Sequence, residues 1–400
     1  MRMHTATIAT AQRLGDVEEY YFSRKLKEIA RRREAGEDIL NLGIGNPDLP
    51  PPPAAVSALT QNLSQPGAHG YQSYRGIPTW REGIRDWYAR VYSVALDDSE
   101  ILPLAGSKEG ITHLCLATLN PGDAVLYPNP GYPAYAAAAQ LAEATALPYP
   151  MPAPEEAGTS WVDRIADVCT DAQVKLLFVN TPHMPTGQVL QRGQLESLLA
   201  FAKTRGITVV SDNAYGYYHP DGPQSLLALP GAREVAVELN SLSKSHHMPG
   251  WRLGCLVGRA DVVEAALRVK SNLDSGQFRP LQAAAAAAVA TEMSWHAEQL
   301  TVNASRRKLG TQLLKKLGCD VPADQHGLFV WGRIRSAGDA PAVGTSERFC
   351  DELLDRTGLF CPPGTVFGGA GEGYVRLSLC SPASTLHEAA RRCGFQLDER

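Results

Sequence analysis

The segment Val235-Ala236-Val237-Glu238-Leu239-Asn240-Ser241-Leu242-Ser243-Lys244 joins a short apolar run to a lysine set between small hydroxyl residues. Val235–Leu239 reads as a strand. Three similar runs precede it, Ala124–Tyr127, Leu176–Val179 and Ile207–Val210, and helical patterns such as Gln194–Arg205 lie between several of them. Strands separated by helices predict an α/β fold with a mainly parallel sheet covered on both faces. Sheets of this kind bind ligands beyond the carboxyl ends of their strands. The residues that follow each run are therefore the first candidates for function.

The rest of the chain reads differently. Four hundred residues exceed one ordinary core and fit a large domain plus a smaller one. Arg13–Gly36 is a charged amphipathic helical stretch, Ser346–Thr357 a second helix, and Leu359–Cys361, a Pro-Pro-Gly turn and the strand-like Tyr374–Leu379 follow it. A small α+β domain built from both termini is expected, residues 1–60 plus 295–400, with a large domain over 61–294. The alanine run Ala283–Ala288 predicts a long, tightly packed helix bridging the two. No internal repeat is found.

Composition removes several classes of function. The profile, 44% hydrophobic and 20% charged, is that of a soluble globular protein. Lysine and arginine total 38 against 42 for aspartate and glutamate, which offers no electrostatic case for nucleic acid or an acidic membrane surface. No stretch approaches the roughly 20 apolar residues of a membrane-spanning helix. Asp16, Glu18 and Glu19 fall where a signal peptide would be apolar, so a cytoplasmic location is expected. The eight cysteines form no Cys-x-x-Cys unit, which disfavours a metal site, and most have apolar neighbours, as buried thiols in a reducing compartment would.

Six stretches carry chemistry. Lys244 is either an exposed loop lysine or a Schiff-base lysine that condenses with an aldehyde. Asp212, in Ser211-Asp212-Asn213-Ala214-Tyr215, either caps a turn or is a buried anion that keeps a heterocyclic nitrogen protonated, with the Tyr215 hydroxyl beside it. Gly106-Ser107-Lys108-Glu109-Gly110 opens a helix, Ile111–Leu119, with a buried stripe at 111, 114, 115 and 119; its free N–H groups and dipole favour a phosphate, although a plain capped helix explains it too. The prolines of Asn129-Pro130-Gly131-Tyr132-Pro133 hold a rigid turn that presents the Tyr132 ring for stacking, or simply packs it. In Asn180-Thr181-Pro182-His183-Met184-Pro185-Thr186-Gly187, His183 is a candidate base or a structural histidine. Arg376, inside the alternating Tyr374-Val375-Arg376-Leu377-Ser378, needs an anion if it points inward, and its planar fork suits a carboxylate.

Together with Gly43-Ile44-Gly45-Asn46-Pro47-Asp48 and the stretch from Tyr71 to Gly76, these motifs resemble the class I/II aminotransferases among the fold type I pyridoxal-phosphate enzymes. The likeness runs from about residue 40 to 380. It implies pyridoxal 5'-phosphate as cofactor, carried by Lys244, with Asp212 on its ring nitrogen, Tyr215 on its ring oxygen and Tyr132 stacked on its face. Ser107, Lys108, Ser241, Ser243 and Arg252 would bind the phosphate, one of the two serines facing away. Tyr71 would reach the phosphate of the partner in a homodimer. Arg376 would grip the substrate α-carboxylate, with Asn180 and a backbone contact at Gly45. The implied reaction moves an amino group from an L-amino acid to a 2-oxo acid, 2-oxoglutarate being the expected acceptor, by a ping-pong route in which Lys244 moves the proton.

Other readings stay open at this stage. A β-eliminating lyase on the same fold would use the same residues. A cofactor-binding regulator would need a DNA-binding module, and only about 40 residues precede the first motif. Lys270-Ser271-Asn272-Leu273-Asp274-Ser275-Gly276 looks similar to stretches of LL-diaminopimelate, aspartate and methionine aminotransferases, and it ranks those substrates poorly. One departure stands out. The family usually has asparagine before Pro-Thr-Gly, donating to the cofactor's ring oxygen, where this chain has Met184, a thioether that cannot donate.

Overall fold

The computed structural model describes residues 9–398 except 16, 18, 154–155, 170–172 and 336–343. Asp16 and Glu18, used above against a signal peptide, lie outside the described residues, as do residues 1–8 of the expected small domain.

Seven strands form the central sheet: β1 (Ile101–Leu104), β2 (Asp123–Asn129), β3 (Thr145–Pro150), β4 (Gln173–Val179), β5 (Thr208–Asp212), β6 (Ala236–Ser241) and β7 (Gly254–Gly258). They lie in the order β1-β7-β6-β5-β4-β2-β3, and only β7 runs against the others. The four expected strands are all present, with ends that differ by at most three residues. Their apolar runs are continuous because both faces are covered. In β4, Leu177 and Val179 enter one core cluster, while Leu176 and Phe178 enter the cluster on the other side.

The sequence reasoning missed β1, β3 and β7 for physical reasons. β1 contains Pro103, and β3 contains Pro148 and Pro150. Both are edge strands, where a missing N–H is tolerated. β7 is five residues bounded by glycines.

A second sheet of three antiparallel strands joins Tyr374–Ser378, Phe329–Ile334 and Cys319–Asp320, and places Trp331 opposite Arg376. Leu40–Asn41 pairs in parallel with Leu359–Phe360. From there the chain is tied to the second sheet: Ser378 donates from its N–H to the Leu42 carbonyl at 2.7 Å and from its hydroxyl to the Ile44 carbonyl at 2.7 Å. This fixes Gly43 and Gly45 beside Arg376.

Two helix expectations need correction. The alanine run belongs to an 11-residue helix, Arg279–Val289, which packs on Pro53–Asn62 and Pro78–Tyr92 rather than bridging outward. The long helix that leads on to the second sheet is Met293–Lys316, begun afresh after a break at 290–292. The terminal helix spans Tyr21–Glu34, not Arg13–Gly36, because the chain leaves a short turn at Gln12–Leu14 and stays extended at its cap, Tyr20. The helix Pro53–Asn62 runs across residue 60, where a boundary was expected.

Glu238, fully buried in β6, ties the sheet to the loops above it. It accepts from Tyr88 Oη (2.9 Å), Ser211 Oγ (3.0 Å), Asn213 Nδ2 (3.1 Å), Ser225 Oγ (2.9 Å) and the Leu226 N–H (3.1 Å). Ser211 and Asn213 flank Asp212. Glu238→Ala would strand these donors in the core, and the expected cost is about 3 kcal/mol or more. Urea unfolding of the variant checks this; a loss below about 1 kcal/mol would show that the network is not a brace.

Candidate active site

The carboxyl ends of β5 and β6 open into a cavity of about 640 Å³, within the range of small-molecule sites. Ser107, Lys108, Tyr132, Asn180, Asp212, Tyr215, Ser241, Ser243, Lys244, Arg252, Gly45 and Arg376 all line it. Twelve of the thirteen expected site residues, scattered over 332 positions of sequence, therefore meet at one place.

Three groups in it are short of partners. Asp212 is buried at the end of β5; its Oδ2 accepts from Tyr135 Oη at 2.9 Å, and its Oδ1 has no partner. Burial pushes its carboxyl up to about 6, against the pull of the Tyr135 hydroxyl and the Ala214 N–H. Arg376 is buried against aromatic faces, its guanidinium carbon 3.8 Å from the Phe329 centroid and 4.5 Å from that of Phe367. It donates from Nη2 to the Gly43 carbonyl (2.6 Å) and from Nη1 to Met184 Sδ (3.4 Å), while its Nε has no partner. Burial lowers its pKa to about 10. Lys244 follows β6 in the short helix Leu242–Ser245 and donates to the Gly45 carbonyl. Burial lowers its pKa as well, with Arg376 and Arg252 adding to the effect. Gly45 is required as glycine here, since a Cβ would sit 2.4 Å from Phe329.

The cavity's other end is a cradle for an anion. The helix Ser107–Thr118 starts at Gly106 without a side-chain cap, which leaves its first N–H groups free. Gly106 has φ +89°, and a Cβ on it would lie 2.4 Å from Arg252 Nη2. Arg252 itself adopts φ +55° and donates to the Ala105 carbonyl at 2.9 Å, which holds it over the helix start. Lys108 lies 4.4 Å over the Tyr20 ring, and its pKa is lowered by burial and by Arg252. The Ser241 hydroxyl accepts the Ser243 N–H to cap the short helix and donates to Ser243 Oγ at 3.0 Å, and both serines are among the residues that line the cavity.

Tyr71 is 93% exposed and does not line the cavity of the single chain. His183 is buried, with Nδ1 paired to Thr186 Oγ1 at 2.8 Å and its pKa lowered to about 3 by burial, and it too does not line the cavity. A group neutral at all ordinary pH and turned away from the site is structural. Asn180 uses its amide within the fold: Nδ2 donates to the Asp212 carbonyl (2.7 Å), and Oδ1 accepts from the Met184 N–H (2.7 Å).

Several lining residues escaped the sequence reasoning. Tyr135 lies one helical turn past Tyr132, a spacing that was available to find it. Tyr20 and Phe22 belong to the aromatic triplet Tyr20-Tyr21-Phe22 in an otherwise charged stretch, a visible but unspecific signal. Phe329 and Phe367 had no local signal at all.

This fold and site define an aminotransferase. The chain belongs to the family Aminotransferase class I and II, whose sequence profile matches residues 37–393. Among its relatives, the LL-diaminopimelate aminotransferase of Dehalococcoides mccartyi (strain BAV1) is 36% identical, over 96% of this chain and 98% of the relative. That of Desulforudis audaxviator is 38% identical over 96% of each. Among solved structures, substrate-bound BacF from Bacillus subtilis superposes with TM-score 0.86 at 30% identity, covering 97% of both chains. N-succinyldiaminopimelate aminotransferase from Mycobacterium tuberculosis gives 0.86 at 26% identity over 96% of this chain and 99% of the other.

Asp212 yields a pH signature in the cofactor-free protein. Its folded pKa is raised, to about 6. Its contribution to stability is therefore present below the unfolded value near 4 and lost as pH rises through about 6. Urea unfolding at about pH 4 and about pH 7 should show a loss of up to about 3 kcal/mol from this group, absent in Asp212→Asn. Equal pH slopes in the two proteins would contradict the assignment.

Proposed function

We propose that this aminotransferase uses pyridoxal 5'-phosphate, held by Lys244, and works as a homodimer in the cytoplasm. The observation that carries the cofactor is Asp212 Oδ1, a buried carboxylate oxygen without a partner. A protonated ring nitrogen is the partner that such an atom needs. The cradle of Ser107, Lys108, Ser241, Ser243 and Arg252 matches a phosphate dianion, and Tyr132 and Tyr215 frame the space between. The Lys244 amine donates to the Gly45 carbonyl and has no carboxylate partner among the described residues. The residues fit the group at both its ends and at its carbonyl.

Bound there, the cofactor supplies an electron sink for the charge left when the amino acid loses its α-proton. The protein does the rest. Arg376 orients the donor by its α-carboxylate; its unpaired Nε and the remaining Nη protons are the free face of the fork. The Lys244 Nζ takes the proton from the donor's α-carbon and later returns one to the product side. Its lowered pKa brings the neutral, basic form nearer to working pH. Asp212 stays ionised against a cationic partner, reversing the upward push it has when alone. Asn180 holds the Asp212 carbonyl and the Met184 N–H, so it acts as a positioning residue.

The donor is an L-amino acid and the acceptor a 2-oxo acid, with 2-oxoglutarate the first to test. LL-diaminopimelate, aspartate and methionine are the candidate donors, and the names of the curated relatives support the first. Those relatives are aminotransferases, which leaves a β-lyase or a regulator without support. Among the described residues no helix is long and apolar enough to cross a membrane. We read the seven-stranded sheet and its helices as the cofactor-binding domain and the two ends of the chain as the small domain, with the boundary before the helix Pro53–Asn62 rather than at residue 60.

Borohydride treatment of the loaded enzyme should fix the cofactor to Lys244, as found by mass spectrometry of its peptides. An adduct on another lysine, or none, overturns the reading. The dimer reading takes Tyr71 from the family resemblance, and its exposure and absence from its own chain's cavity lining agree with that role. Sedimentation should give twice the 43.1 kDa chain mass. Tyr71→Phe should release the cofactor more readily, by about 1.5–3 kcal/mol of binding. A fully active monomer contradicts both points.

A further inference from the structure

Two stretches singled out in the sequence, residues 106–110 and 270–276, meet outside the cavity at the foot of the anion cradle. Lys270 is buried; its ammonium pairs with Asp274 and lies 3.4 Å from Glu109 Oε1. His113 Nε2 lies 2.9 Å from the same oxygen. The other oxygen of Glu109 accepts the Ala105 N–H. Burial opposes the ionisation of Glu109, but His113, Lys270 and the Ala105 N–H outweigh it and hold the carboxyl below its ordinary range. Glu109 is therefore a carboxylate at ordinary pH. Neither Glu109 nor Lys270 lines the cavity.

Ala105 is where this network meets the cradle. Its N–H is held by Glu109, and its carbonyl accepts from Arg252 Nη2 at 2.9 Å. Gly106, at φ +89°, and Ser107, the first residue of the helix, follow directly. Arg252 is tied to the same stretch a second time, because Gln277 Nε2 donates to its carbonyl at 2.7 Å. Asp274 stiffens the stretch between the two ties by accepting the Gly276 N–H at 3.1 Å. Residues 270–277 thus hold both the turn into the helix and the arginine that overlies it. A buried ion pair often stabilises a fold no better than apolar residues of similar volume. What this one does, and apolar residues cannot, is fix a backbone N–H beside the cradle. Every contact in the network is made within one chain.

We propose that Lys270, Glu109 and Gln277 are positioning residues for the cofactor's phosphate: they fix the turn at Ala105–Ser107 and Arg252 in the geometry that receives the dianion, and so set how tightly the cofactor is held. The proposal rests on the reading of pyridoxal 5'-phosphate with its phosphate at Ser107, Lys108, Ser241, Ser243 and Arg252.

The test is titration of the cofactor-free full chain with pyridoxal 5'-phosphate and, separately, with pyridoxal, which carries the same ring and aldehyde without the phosphate. Absorbance of the adduct gives each dissociation constant. Glu109→Ala and Lys270→Met should weaken binding of pyridoxal 5'-phosphate by about 10- to 100-fold, the scale on which metal sites lose affinity when a residue that orients a ligand is removed. Binding of pyridoxal should be nearly unchanged, whereas a general loss of structure would weaken both. Gln277→Ala, which leaves no charge unpaired, should weaken the phosphate form by a smaller factor, and it decides the matter alone if the other two variants fail to fold. Inorganic phosphate gives a reading that does not involve the aldehyde: it should raise the thermal midpoint of the cofactor-free wild type more than that of the variants. Unchanged affinity for pyridoxal 5'-phosphate in the folded variants, or an equal loss for both ligands, overturns the proposal. A wild type that binds pyridoxal 5'-phosphate no better than pyridoxal overturns the phosphate reading itself, and the proposal with it.

Discussion

A carboxylate oxygen sealed inside a protein with nothing donating to it is costly, and a ligand that completes it is one reason for a fold to keep it. Asp212 Oδ1 is such an atom, at the carboxyl end of a central parallel strand. Arg376 Nε is its cationic counterpart on the second sheet. The two are not paired with each other. The space between them is framed by Lys244, Tyr132 and Tyr215. Much of the surrounding structure serves to keep these groups both buried and apart. Glu238 anchors the residues on either side of Asp212, Tyr135 holds its other oxygen, and Asn180 holds its backbone carbonyl. Gly43 and the phenylalanine rings hold Arg376 without neutralising it.

The parallel sheet explains why these groups can meet. Each parallel strand delivers its terminal residues to the same edge, so Asp212 and Ser241 arrive together although 29 positions separate them. The helix Ser107–Thr118 points its amino end at that edge and meets Arg252, whose left-handed backbone turns it toward Gly106. The second sheet then closes the cavity, with Gly43 to Gly45 laid along Ser378. Anion cradle, reactive amine and carboxylate grip come from three parts of the chain, and only the folded arrangement makes them one site.

How much of this the sequence could show follows from the range of each interaction. Strands β2, β4, β5 and β6 were legible because burial on both faces writes a continuous apolar run. β1 and β3 were hidden by their prolines, which an edge strand tolerates. Lys244, Asp212 and Arg252 stood in local settings unusual enough to notice. Phe329 and Phe367 could not be read, since an aromatic residue in a strand or turn carries no mark of the guanidinium it will stack on. The end of the alanine helix at Val289, with three residues left before the next helix begins, likewise carried no local mark. Met184 was visible as a departure, but its contact with Arg376 was not, because 192 positions separate them.

The central claim is that the site's charges are placed for a ligand and work against the stability of the empty protein. Lys244 isolates it best, because its ammonium has one partner, the Gly45 carbonyl, among the described residues. Denaturant unfolding of the cofactor-free wild type and of Lys244→Met, which keeps the length and apolar volume and removes the charge, is the direct measurement. The account predicts that the variant is the more stable protein, by about 1–3 kcal/mol. A variant less stable than the wild type by a similar amount would show that the lysine holds the fold together, and would contradict the account.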